Sequence, residues 1–146
     1  MTDLLDVNLL VSLAWPNHIH HQPAMAWFRG RRGQLWATTP LTEAGFVRVS
    51  ANPAAIPTAV DPADALRLLN RMRQLPDHTF LVDDVPGVVG TDVPWDRVAS
   101  YRLVTDAHLL ALARRHGARF ATLDRGAAAL AGGQDVVLIP LVTSGC

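Results

Sequence analysis

The sequence predicts an α/β domain with a central parallel sheet of four or five strands between two helical layers, a three-layer α/β/α arrangement. Three observations predict it. Short apolar runs alternate with helical patterns from one end of the chain to the other. Most of those runs are apolar on both faces, as strands covered on both sides require. No internal repeat, low-complexity tract or linker divides the 146 residues, so a single domain over 1–146 is expected.

The first strand is expected at 4–7, inside "LLDVN", where Asp6 interrupts an apolar run and is costly to bury without a partner. Two helices follow, 8–15 and 17–30, broken at Pro16. A second strand at 35–38 leads to a helix over 40–50, which "NP" at 52–53 stops. "VDPAD" supplies a cap and a first-turn proline for a helix over 62–74. A third strand is expected at 79–83. "TDAHLLALARRHG" gives the clearest helix, 105–117, with Thr105 as its N-cap and Gly117 just past its end. A fourth strand at 119–123, a short helix at 125–131 and a fifth strand at 136–140 complete the chain.

Composition narrows the chemistry. All thirteen basic residues are arginine, so a P-loop lysine, a lysine Schiff base and a lysine general base are excluded. A net charge of zero neither demands nor forbids a nucleic-acid partner. The one cysteine, Cys146, gives no disulfide framework and points to a reducing compartment. The N-terminal stretch lacks a signal-peptide pattern and no apolar run is long enough to cross a bilayer, so a cytoplasmic protein is expected.

In open parallel sheets ligands bind beyond the carboxyl ends of the strands. Asp6 closes the first strand, Glu43 (the only glutamate) lies in the first turn of the helix after the second, and Asp124 closes the fourth. Asp106 opens the helix that feeds the fourth strand, so it also reaches that edge. Each has an ordinary alternative as a helix cap or turn residue. Four carboxylates at one edge repel one another and stay ionised only with cations among them. An all-oxygen donor set suits Mg²⁺ or Mn²⁺. Two such ions about 4 Å apart clamp the attacking and leaving oxygens of a phosphodiester.

The same stretches, "LLDVNLLVSLAWPNHIHH", "TTPLTEAGFVRVS" and "RLVTDAHLLALARRHGARFATLDRG", resemble the PIN-domain ribonucleases of the VapC toxin type. The resemblance runs from near residue 3 to about 140. It implies a PIN-like fold and a Mg²⁺-dependent endoribonuclease, with Mn²⁺ as a substitute. It also implies silencing by a VapB-like antitoxin and association as a homodimer. The family's acidic quartet maps onto Asp6, Glu43, Asp106 and Asp124, with Asp6 and Asp106 the direct ligands. Asn8 and Thr122 fall where residues supporting the ligands are expected. The stretch 84–101 matches nothing in detail.

Arg48 and Arg125 lie near the proposed cleft and fit two roles, contact with RNA phosphate or pairing with an acid. "RGRRG" at 29–33 reads as a solvated loop at the opposite sheet edge, and "HIHH" at 18–21 as a helix start, not a metal site. His108 and His116 receive no catalytic role. Asp83 and Asp84 read as structural, and the four tryptophans with Phe28 as core or interface. Two other functions compete: a phosphotransfer domain, which normally needs a lysine absent here, and a non-catalytic binding module that keeps the PIN fold.

Overall fold

The computed structural model of the protein describes residues 1–31, 33–86, 93 and 95–141. Five parallel strands form one sheet in the order β3-β2-β1-β4-β5: β1 Asp3–Leu5, β2 Trp36–Thr38, β3 His78–Phe80, β4 Arg119–Thr122 and β5 Val136–Leu138. Among the described residues, six α-helices cover it: α1 Val7–Ala14, α2 His21–Gly30, α3 Pro40–Ser50, α4 Pro62–Arg73, α5 Val104–Arg115 and α6 Arg125–Leu130.

Strand alternation sorts the core into two layers. Leu4, Ala37 and Phe120 point to the face covered by α5 and α6, against Leu109, Leu112 and Leu130. Leu5, Trp36 and Ala121 point to the other face, against Leu9, Leu10, Phe46 and Leu69 of α1, α3 and α4. β2, β1 and β4 are adjacent, so the loops leaving their carboxyl ends open onto one edge.

The opposite edge is tied by charge. Asp3 is fully buried and accepts from Arg31 Nε at 2.9 Å and Nη2 at 2.6 Å, and from Arg119 Nε at 2.8 Å. Arg31 Nη2 also donates to the Leu35 carbonyl at 2.7 Å. This corrects the reading of "RGRRG" as a solvated loop. Arg31 is 7% exposed because the one carboxylate at the start of β1 recruits it; Arg32 lies outside the described residues.

Several boundaries also differ from expectation. The strands are shorter, and the third begins at His78 and ends at Phe80, so Asp83 and Asp84 lie beyond it. The second helix begins at His21 and not at residue 17, since the histidines stabilise a turn instead. His18 Nδ1 accepts from the His20 amide at 3.0 Å, and His21 Nδ1 bonds the Ser12 carbonyl at 2.8 Å. Thr105 is not a cap. A 3₁₀ turn over Tyr101–Leu103 runs straight into α5, so the helix starts at Val104 with Leu103 at the cap position. Asp61 occupies the N-cap of α4, but its side chain makes no capping bond. Gly117 ends α5 as expected, at φ +66°.

The helix crossing beside the site depends on a missing side chain. A Cβ at Gly45 of α3 would meet Val7 Cγ2 of α1 at 2.5 Å. Gly45→Ala therefore gains helix propensity but overpacks this crossing, and a net destabilisation of about 1–2 kcal/mol is expected. Val7 follows Asp6, so the clash also disturbs the site. Thermal melts of Gly45→Ala and of Gly45→Ala with Val7→Ala check this: the second substitution is expected to recover part of the loss. A single variant as stable as the parent contradicts the crossing.

Candidate active site

Three aspartates arrive at the carboxyl edge by three local routes. Asp6 follows β1 and caps α1; its Oδ1 accepts from the Val7 amide at 2.7 Å. This corrects its placement within a strand: β1 ends at Leu5, and the carboxylate begins the helix. Asp124 follows β4 and caps α6, accepting from the Gly126 amide at 2.8 Å. Asp106 lies in the first turn of α5, whose far end delivers the chain to the start of β4.

Thr122 joins two of them. Its buried hydroxyl donates to Asp6 Oδ2 at 2.7 Å and accepts from the Asp124 amide at 3.0 Å. Asp106 is 9% exposed, yet no described group donates a hydrogen bond to its carboxylate.

The electrostatics follow from that geometry. Burial, then the charges of Asp6 and Asp124, push Asp106 up to about 7. Burial also raises Asp6, with a further push from Asp124; the Thr122 hydroxyl and the Val7 amide pull the other way. These three carboxylates therefore act on one another. Three negative charges so placed oppose one another, and a cation among them would offset that.

Glu43, in the first turn of α3, is held by other groups. Its Oε2 accepts from Thr38 Oγ1 at 2.6 Å and its Oε1 pairs with Arg73 Nη1 at 3.2 Å. Thr38, Arg73 and the His78 ring behind Thr38 were not singled out from the sequence. Thr38 sits at the end of β2, five residues before Glu43, and that short spacing is its one local signal. Arg73 is brought in by tertiary packing alone.

The remaining candidates fall as follows. Asn8 is exposed in the first turn of α1, and its side chain hydrogen-bonds no described group. Arg48, in the last turn of α3, and Arg125, directly after Asp124, are exposed and form no ion pair with a described residue. Asp83 is held by His108 Nε2 at 2.7 Å, and Asp84 by His116 Nε2 at 2.9 Å and Arg115 Nε at 3.1 Å. These pairs fasten the segment after β3 to α5.

Among the described residues, no three His, Cys, Asp or Glu side chains form a ready-made metal shell. The donor chemistry fits a hard divalent cation: all oxygen, with no described donor on Asp106 and with Asp6 already oriented.

Comparison with known proteins agrees with this architecture. Residues 4–133 match the PIN domain. The chain is 50% identical over 124 residues to Ribonuclease VapC39 of Mycobacterium tuberculosis, across 85% of this chain and 89% of that protein. It is 51% identical over 140 residues to Ribonuclease VapC38 of the same species, across 96% and 97%. Its fold resembles the crystal structure of PAE2754 from Pyrobaculum aerophilum, with TM-score 0.57 and 25% identity, covering 91% of this chain and 81% of that one.

Proposed function

The chain belongs to the PIN-domain family, among its VapC-type ribonucleases, and from that premise we propose that it is a metal-dependent endoribonuclease, the toxin of a VapBC-type toxin–antitoxin module. The observation that carries the metal requirement is the buried carboxylate of Asp106, without a donor among the described residues and pressed by Asp6 and Asp124. A non-catalytic binding module gives no reason to keep such a charge buried.

Asp6 and Asp106 would hold the principal ion, Mg²⁺ or Mn²⁺. Asp124 and Glu43 would complete its surroundings through water or hold a second ion. Such an ion, when bound, supplies Lewis-acid activation of water and neutralises charge building on the phosphate. The protein's own groups orient the rest. Thr122 and the Val7 amide fix both oxygens of Asp6, so its carboxylate does not reorient during the reaction. Asp124 or Glu43 orients the water that attacks phosphorus. Arg48 and Arg125 are free to meet phosphates of the incoming strand, and Asn8 faces solvent beside Asp6. The substrate is RNA, read in single-stranded or looped form. The partners proposed with it are a VapB-like antitoxin and a second copy of the chain. Among the described residues no helix is long and apolar enough to cross a membrane, and a cytoplasmic site of action is proposed.

Sequencing RNA 5′ ends after induction of the parent chain and of Asp6→Ala tests this. New ends in the parent alone are expected; the same ends in both overturn the catalytic assignment. EDTA is expected to abolish cleavage in vitro and Mg²⁺ or Mn²⁺ to restore it.

The pH dependence follows from Asp106. Its folded-state pKa, about 7, lies above the ordinary 3.8, so the folded protein binds the extra proton. The associated stability is fully present below about 4 and is lost as pH rises through 7. A cation must displace that proton, so metal affinity falls by up to tenfold per unit below pH 7. Melts at pH 5.5 and pH 8 check this: Mg²⁺ is expected to raise Tm clearly at pH 8 and little at pH 5.5. Equal shifts contradict it.

A further inference from the structure

We propose, resting on the nuclease reading above, that Thr38, His78 and Arg73 are positioning residues for Glu43, fixing its carboxylate as an oriented acceptor in the first turn of α3, at the carboxyl edge of the sheet. Each oxygen of Glu43 has its own partner from a different element. Thr38 Oγ1, at the end of β2, lies 2.6 Å from Oε2; Arg73 Nη1, at the end of α4, lies 3.2 Å from Oε1.

The polarity of the chain is determined. A hydroxyl has one proton, and a carboxylate only accepts, so Thr38 donates to Glu43. His78 Nε2 lies 2.8 Å from the same Thr38 oxygen and must therefore be the donor to it, which selects the Nε2–H tautomer. Thr38 is fully buried, so this relay is shielded from competition by water. His78 is itself held edge-on to Trp36, ring centres 4.6 Å apart.

Arg73 closes the other side. Its guanidinium lies 5.2 Å from the Phe80 ring, which limits its swing. It is 40% exposed and lines, with Glu43, Arg67 and Asn70, a groove of about 340 Å³ along α4. A pair that only tied α3 to α4 would need Arg73 and Glu43 alone. The buried Thr38–His78 arm, converging on the other oxygen, orients the carboxylate and gives no further tie between those helices. No hydrogen bond or ion pair joins any of the three to Asp6, Asp106 or Asp124, and each acts through Glu43.

The test uses the purified full chain with Mg²⁺ and a single-stranded RNA, together with ¹⁵N spectra of the His78 ring. Thr38→Val is expected to lower kcat about 10–100-fold with KM within about twofold. Thr38→Ser is expected to restore most of that kcat. His78→Phe, which keeps the contact with Trp36, is expected to lower kcat in the same direction, and it serves if Thr38→Val does not fold. The parent ring is expected as the neutral Nε2–H tautomer. A parent ring in the Nδ1–H form overturns the relay, as does unchanged kcat in folded Thr38→Val or His78→Phe while the parent cleaves RNA. A parent chain that cleaves no RNA with Mg²⁺ or Mn²⁺ present overturns the nuclease reading itself, a separate result that removes the role proposed for the relay.

Discussion

Asp106→Asn is expected to abolish RNA cleavage and, at the same time, to stabilise the metal-free protein. The two effects have one cause. The Asp106 carboxylate is buried, accepts from no described donor, and faces the charges of Asp6 and Asp124, which together hold its pKa near 7. Above that pH the folded protein carries a charge that its surroundings oppose. An amide of the same shape removes the charge, so Tm without metal should rise at pH 8 and change little at pH 5.5. Cleavage should fall roughly 10²–10⁴-fold, the consequence of losing several kcal/mol of transition-state stabilisation with the ion. Added Mg²⁺ should raise the Tm of the parent and leave that of the variant nearly unchanged. Lost activity with a lowered Tm would instead mark Asp106 as a structural residue.

Asp3→Ala should cost more stability than Gly45→Ala. It leaves Arg31, 7% exposed, without its counter-charge and strands Arg119 beside it. Removing one partner of a buried pair costs about 3–5 kcal/mol, because the remaining charge stays desolvated. For a domain of this size that is a Tm decrease of roughly 10–15 °C, a large share of total stability. Cleavage per folded molecule should be preserved, since Asp3 lies at the amino end of β1, across the sheet from the acids. Thermal melts paired with active-site titration separate the two quantities. A shift of under 1 kcal/mol would show that the network contributes little. Arg31→Met with Asp3→Leu is expected to recover part of the loss, since it removes the buried unpaired charge and leaves only Arg119, 36% exposed, without its partner.

The sequence displays this fold because its strands and helices carry strong local signals. Pro40 and Pro62 open their helices, Gly117 closes α5, and the double-sided apolar runs mark a covered sheet. The positions of Asp6, Asp106 and Asp124 follow from chain direction in a parallel sheet, so their meeting at one edge is readable before any contact is known. What is not readable is set by tertiary packing. Arg31 looks like one of several loop arginines and becomes a buried partner only because β1 starts with Asp3. Thr105 has the right residue type for a cap, but the 3₁₀ turn before it moves the helix start to Val104. The hold on Glu43 draws on residues 38, 73 and 78, from three elements, and no periodicity connects them.

The most direct measurement is anomalous scattering from crystals grown with Mn²⁺ at pH 8. The account predicts a manganese peak within about 2–2.5 Å of carboxylate oxygens from both Asp6 and Asp106, absent in Asp106→Asn. Electron density showing those two side chains ordered, with no manganese between them at saturating concentration, would contradict it.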